Sequence, residues 1–334
     1  MTFSKVGGQV ISSTSLPLAI GSNGPAVRDL TARLRAAGFD PGTDTTDFSE
    51  ATRSAVLAFQ SSRGLDEEGI CDRDTWVALV EAGFAFGDRL LYLTQPMLRG
   101  DDVADLQLRL GALGFDAGRV DGIFGPMTRD ALLEFQRNVG LVPDEVCGPD
   151  TVAALARLQP RGGTTSVAGV RERHRLRTRQ HQGLSLNIAL AHLGDADELV
   201  GIVATELSRA GARVAVFAAE SWSLISPQVN AMDAELCLAV STDVGPVCEV
   251  AYFETTGFHS VGGHQLAHLI GAELPSSPLW PLVTVSGKRI PILRETRPPA
   301  VAIRIGPAAM VSEQHNLVGA ALARSVTRWS DEPC

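Results

Sequence analysis

Near the end of the chain the run PAVAIRIG, residues 299–306, sets one guanidinium, Arg304, between Ile303 and Ile305. The run has the look of a buried strand. An ionised side chain there requires a counter-charge, an anion or a strand edge. A second group able to do chemistry is HQLAH, in which His264 and His268 stand four apart. On a helix that spacing turns two imidazoles to one face, within reach of one metal ion. Gln265 replaces the glutamate such metal-binding helices use as a base, and only His259 or His315 offers a third donor. The simpler reading is a pair of surface histidines on an amphipathic helix.

These residues need a scaffold, and the pattern from Leu184 onward supplies one. SLNIALAH, RVAVFAA, ELCLAVS, CEVAYFE and PAVAIRI read as strands. ADELVGIVATELSRAG, GGHQLAHLIGAEL and SEQHNLVGAALARSVTRW read as helices between or after them. Alternation of this kind predicts an α/β domain with a mainly parallel sheet covered by helices.

The first half repeats itself without a gap. VRDLTARLRAAGFD from Val27 aligns with VADLQLRLGALGFD from Val103, and FSEATRSAVLAFQSSRGL from Phe48 with FGPMTRDALLEFQRNVGL from Phe124. Identities include Leu30/Leu106, Leu34/Leu110, Phe59/Phe135, Gln60/Gln136, Arg53/Arg129 and Cys71/Cys147. Each copy predicts three short helices, the first ended by Gly38 or Gly114 and the third of the second copy opened by Pro149. The apolar matches are core, and the paired cysteines are small buried thiols. Arg53, Gln60, Arg129, Gln136 and the turn carrying Gly122, Phe124 and Gly125 are the candidates for a ligand surface.

The boundaries that follow are a tail over 1–23, repeats over 24–84 and 100–158, a linker over 159–183 and the α/β domain over 184–334. The linker carries six arginines against the single acid Glu172. It reads as a solvated basic tether, and Thr164, Thr165, Ser166 and Thr178 beside those arginines could be phosphorylated. With 29 basic and 38 acidic residues the net charge is −9, which argues against a general nucleic-acid binder. No run approaches the roughly 20 apolar residues of a membrane span. The first residues make a poor secretory signal, and five scattered cysteines without a CxxC pair suit a reducing, cytoplasmic setting.

The second copy, with DGIFGP and TRDALLEFQ, closely resembles the peptidoglycan-binding repeat found beside cell-wall hydrolases. The first copy has Asp47-Phe48-Ser49-Glu50 where that family keeps its Asp-Gly turn. VNAMDAELCLAVST, CEVAYFE and IPILRETRPPAVAIRIGPAAM, in that order, resemble the zinc-dependent N-acetylmuramoyl-L-alanine amidase domain. That resemblance implies three zinc ligands and a catalytic glutamate. Carried over residue by residue, one ligand histidine falls on Ser241, the ligand glutamate near Ala196 and the catalytic glutamate on Arg304, leaving His192 as the only stand-in at the first loop.

The domain order also resembles actinobacterial proteins that join two such repeats to a degenerate amidase domain. What this implies is a cytoplasmic, non-catalytic regulator of peptidoglycan precursor synthesis, without a cofactor, that binds precursor enzymes such as the UDP-N-acetylglucosamine enolpyruvyl transferase. Arg304 is then expected to pair with Asp195, Asp197 or Glu198, or to hold an anion. Two alternatives stay open. One is an active zinc amidase with shifted ligands such as His192, His259 or His264, cutting between muramic acid and the stem peptide. The other is a peptidoglycan-binding anchor.

Overall fold

The computed structural model describes residues 16–43, 46–158, 172, 186–255, 257–274 and 283–331. The linker hydroxyls and residues 1–15 of the N-terminal tail lie outside these residues, as does all of the linker except Glu172. The chain divides into two compact units, Met1–Gly83 and Phe84–Cys334.

The first unit is one three-helix repeat, with α1 Pro25–Ala36, α2 Glu50–Arg63 and α3 Arg73–Glu81. Ser49 and Asp72 start α2 and α3 by accepting hydrogen bonds from the Thr52 and Thr75 amides. Gly64 ends α2 at φ 59°, a left-handed turn that suits glycine. Leu30, Leu34, Val56 and Phe59 form the interior, with Phe39 edge-on to Phe59 at 5.5 Å.

The second copy has α4 Asp101–Ala112, α5 Pro126–Asn138 and α6 Pro149–Arg157, and repeats the same packing with Phe115 edge-on to Phe135 at 5.6 Å. Cys71 and Cys147 are buried free thiols. Burial pushes Cys147 up to about 12 and Cys71 higher still, so neither is a nucleophile at neutral pH.

Buried carboxamides hold the loops of both copies. In the second, Gln136 Nε2 donates to Asp144 Oδ1 at 2.8 Å, the Val146 carbonyl at 3.0 Å and Thr151 Oγ1 at 3.2 Å, while its Oε1 accepts from the Glu145 amide. Gln60 does the same for Ile70, Thr75 and Gly69. Gln136→Ala strips four polar groups of this partner and is expected to cost about 1–3 kcal/mol, read as a lower midpoint in urea unfolding.

After the second copy comes a seven-stranded sheet in the order β2-β1-β3-β7-β4-β5, with β6 on β4. Its strands are β1 Asn187–Leu193, β2 Arg213–Ala218, β3 Leu236–Thr242, β4 Val247–Thr255, β5 Phe258–His259, β6 Thr284–Lys288 and β7 Ala300–Gly306. The pairings β1–β2, β1–β3, β3–β7 and β4–β6 are parallel, and β4 runs antiparallel to β7 and β5. The helices are α7 Asp197–Arg209, α8 Trp222–Ala231, α9 Val261–Glu273, α10 Pro291–Glu295 and α11 Ala308–Asp331.

Alternation along the strands separates two faces. Ile188, Leu190, Leu238, Val240, Val250, Ile303 and Ile305 form one core with Leu199 and Val203 of α7, Leu266 and Ile270 of α9, and Leu322 and Val326 of α11. The residues between them, Ala189, Ala191, Cys237, Ala239 and Ala302, are small, and α8 and α10 cover that side.

The second repeat is not held by a tether alone. Arg119, in the turn before Asp121, donates to the carbonyls of Leu293 and Thr296 at α10. The same guanidinium lies 4.6 Å from the ring centre of Phe253 on β4. Arg99 pairs with Glu295, and Arg289 stands 3.8 Å from Asp101. Glu172, the acid of the linker, accepts hydrogen bonds from Ser260 Oγ and from the amides of Val261 and Gly262, which cap α9. Repeat and sheet thus belong to one unit.

Candidate functional site

Parity explains the guanidinium in the buried strand. Ile303 and Ile305 face the apolar core, so Arg304 faces the opposite side with Ala302. Its register partners are Ser241 on β3 and Glu249 on β4. Glu249 sits between Cys248 and Val250 of the core and therefore shares the face of Arg304. On the far side of β4, Ser286 and Lys288 of β6 belong to that face as well.

Four charges alternate across these strands. Lys288 Nζ is 2.8 Å from Glu249 Oε2, and Arg304 Nη2 is 3.1 Å from the same oxygen. Arg304 Nη1 is 3.6 Å from Asp243 Oδ2, just past β3. Ser286 donates to Glu249 Oε1 at 3.0 Å. Burial would raise the Glu249 carboxyl. The hydrogen bond and charge of Lys288, the charge of Arg304 and the Ser286 hydroxyl together outweigh it and hold Glu249 below the ordinary carboxylate range.

The partners expected for Arg304 lie elsewhere. Asp197 stands 3.6 Å from His192 Nε2, and Glu198 stands 3.7 Å from His315 Nδ1. Both acids begin α7, which packs on the apolar face, so the sheet itself separates them from the guanidinium. The anion alternative meets a guanidinium already paired with two carboxylates.

The donor set does not fit a catalytic zinc. Three protein ligands would have to converge and leave a fourth position open. His192 is in register with Val240 and so on the other face from Ser241 and Arg304. Its Nδ1 is buried without a hydrogen-bond partner, which makes it one donor and not three. Ala196 has no donor, and its buried side chain belongs to the apolar core. Among the described residues no group of three or more His, Cys, Asp or Glu side chains is placed to hold a metal ion.

The repeat candidates separate into two kinds. Gln60 and Gln136 are buried and spend their amides on their own loops. Phe124 is fully buried in the core of its repeat. Gly122, at φ 72°, has its would-be Cβ 3.0 Å from the Gly100 carbonyl, and Gly125 opens α5. Gln60, Gln136 and Phe124 turn their side chains into the repeats, and Gly122 and Gly125 shape the turn through their backbone. Arg129 and Arg53 are at the surface, paired with Asp130 and Glu50.

One functional pin escaped sequence reading. Gln107 donates to Asp121 Oδ1, the Ile123 carbonyl and Thr128, and accepts from the Asp121 and Gly122 amides. It builds the Asp-Gly turn. The aligned residue in the first copy is Thr31, whose hydroxyl donates to the Arg28 carbonyl. Pin and turn are lost together there, a paired difference visible in the alignment.

At the other end of the sheet, His264 and His268 meet with their Nε2 atoms 3.2 Å apart. Burial, then the charges of His268 and His259, pull His264 below the ordinary imidazole range against the opposing charge of Glu254.

Residues 23–79 and 99–155 each match the family described as "Putative peptidoglycan binding domain". The chain is 40% identical over 173 residues to the N-acetylmuramoyl-L-alanine amidase CwlM of Mycobacterium tuberculosis, covering 48% of this chain and 42% of that protein. It is 32% identical over 173 residues to the N-acetylmuramoyl-L-alanine amidase CwlL of Bacillus licheniformis, covering 45% of this chain and 48% of that one. The chain thus spans less than half the length of these curated relatives. Among solved structures, the amidase Ami1 of Mycobacterium smegmatis aligns with 45% of this chain and 99% of its own at 12% identity, with a TM-score of 0.36.

Proposed function

We propose that this chain, which carries two repeats of the peptidoglycan-binding family ahead of an amidase-like α/β domain, is a non-catalytic regulator or scaffold of peptidoglycan precursor synthesis. It acts by binding other proteins. The observation that carries this reading is Arg304, tied to Glu249 and Asp243 where an amidase of the resembled type keeps its proton-shuttling carboxylate. A guanidinium stays charged throughout the working pH range, so it takes up no proton from an attacking water, and it repels a divalent cation. Ser241 and Ala196 supply no ligand in compensation. The cytoplasm is the place of action on this reading, and the UDP-N-acetylglucosamine enolpyruvyl transferase is the partner the resemblance implies. The family match of the repeats supports peptidoglycan or its precursors as a second ligand class.

The test incubates the full chain with purified peptidoglycan and zinc, and follows stem peptides released with a free alanine amino group. In parallel the chain is immobilised and offered the transferase. The expected result is no release and saturable capture of the enzyme. Zinc-dependent release abolished by a chelator would establish the hydrolase instead. Retention on peptidoglycan without capture of the transferase would establish the anchor.

A further inference from the structure

We infer that Glu172 is a latch: its carboxylate fastens the linker to the first turn of α9, so that freeing this one group releases the linker at that point and frays the helix start. The groups that hold it lie 88 to 90 positions further along the chain.

The start of α9 explains why its anion comes from so far away. The first amides of a helix have no partner within it, and a glutamate three positions past the cap commonly completes the arrangement. Here Ser260 Oγ accepts from the Gly263 amide at 3.2 Å, but the first turn, Val261-Gly262-Gly263, holds no acid. A side chain at Gly263 would set its Cβ 2.9 Å from the Ala300 carbonyl on β7. The helix begins too close to the sheet for a glutamate of its own at that position.

Glu172 supplies what the turn lacks. Its Oε2 accepts from the Val261 amide at 3.1 Å, and its Oε1 accepts from the Ser260 hydroxyl at 2.6 Å and from the Gly262 amide at 3.4 Å. Ser260 is 1% exposed, so a hydroxyl deprived of this carboxylate finds little water in exchange. The aligned peptide dipoles of α9 favour a negative charge at this end. Arg119 adds a positive one: desolvation lowers its guanidinium below the ordinary range, and the charge of Glu172, ahead of that of Asp121, opposes the shift. Glu172 is moreover the one acid in a linker of six arginines, so no neighbour along residues 159–183 can take its place.

The test has two arms on the full chain, with far-ultraviolet circular dichroism to confirm that each variant keeps the native fold. In the first, amide hydrogen exchange is read by mass spectrometry on a peptide covering the start of α9. Glu172→Ala is expected to speed exchange of the Val261 and Gly262 amides at least roughly tenfold and to leave α2 of the first repeat unchanged. In the second, Ser260→Ala alters the receiving side and leaves the linker sequence intact. Limited digestion with trypsin is expected to cut after Arg171 and Arg173 at least roughly tenfold faster in Ser260→Ala than in the native chain, with cutting after Arg161 unchanged. Exchange at the start of α9 that is unaltered in Glu172→Ala, or cutting at Arg171 and Arg173 that is unaltered in Ser260→Ala, overturns the latch.

Discussion

Glu249→Ala is expected to lower the stability of the second unit by about 3–5 kcal/mol, seen as a marked fall in the urea midpoint without a change of fold in the surviving native state. The loss takes from Lys288 its carboxylate at 2.8 Å and from Arg304 its carboxylate at 3.1 Å, and leaves two cations on one covered face. Removing the attraction alone would cost less. The larger part is the desolvation of the cations that the lost carboxylate had offset. Glu249→Ala combined with Lys288→Met should recover part of the loss, because one of the two neighbouring cations goes with the carboxylate.

The pH dependence has a definite sign. The folded carboxyl is depressed below its unfolded value, so its contribution is complete above the unfolded value and is lost as pH falls through the folded one. The acid limb of the stability curve should therefore be shallower in Glu249→Ala than in the native chain.

Arg119→Ala is expected to cost about 3 kcal/mol and to split the unfolding of the second unit into two steps, the repeat melting before the sheet. Its guanidinium serves two carbonyls at α10 and a ring on β4. Leu293 is fully buried and Thr296 nearly so, which leaves their backbone groups little access to replacement water. Arg119→Lys keeps the charge but loses the planar fork, so it should restore only part of the coupling. Fluorescence and far-ultraviolet circular dichroism, followed together in denaturant, read the split directly. Coincident transitions in Arg119→Ala would show that the contact is dispensable.

Much of the architecture was legible. The six repeat helices follow from apolar spacing with glycine stops, and the main strands and long helices of the sheet domain from their alternation. α8, with Pro227 inside it, and β6, with Gly287 inside it, carry weak local signals and depend on tertiary packing. At the site, the sequence shows that Arg304 needs a counter-charge but not which one. Glu249 is distant along the chain, and only the antiparallel register of β4 on β7 brings it opposite. Asp197 and Glu198 were expected as partners because the amidase resemblance puts a ligand acid near Ala196, yet strand parity puts them behind the sheet. Identity between copies likewise cannot tell a loop pin from a surface residue, since Gln136 and Arg129 match equally well. Arg119 reads as a solvent-facing loop residue, because nothing local announces the carbonyls it meets.

The alternation of Lys288, Glu249, Arg304 and Asp243 also constrains what this domain can become. Glu249 serves cations on the strands to either side of it, so a replacement at that one position takes a carboxylate from both Lys288 and Arg304 and passes through a less stable protein. Drift on the outer surfaces of the repeats, by contrast, is nearly free. The row acts as a keystone: selection can keep reshaping the outer surfaces of the repeats while the pairing that joins β6, β4 and β7 stays fixed.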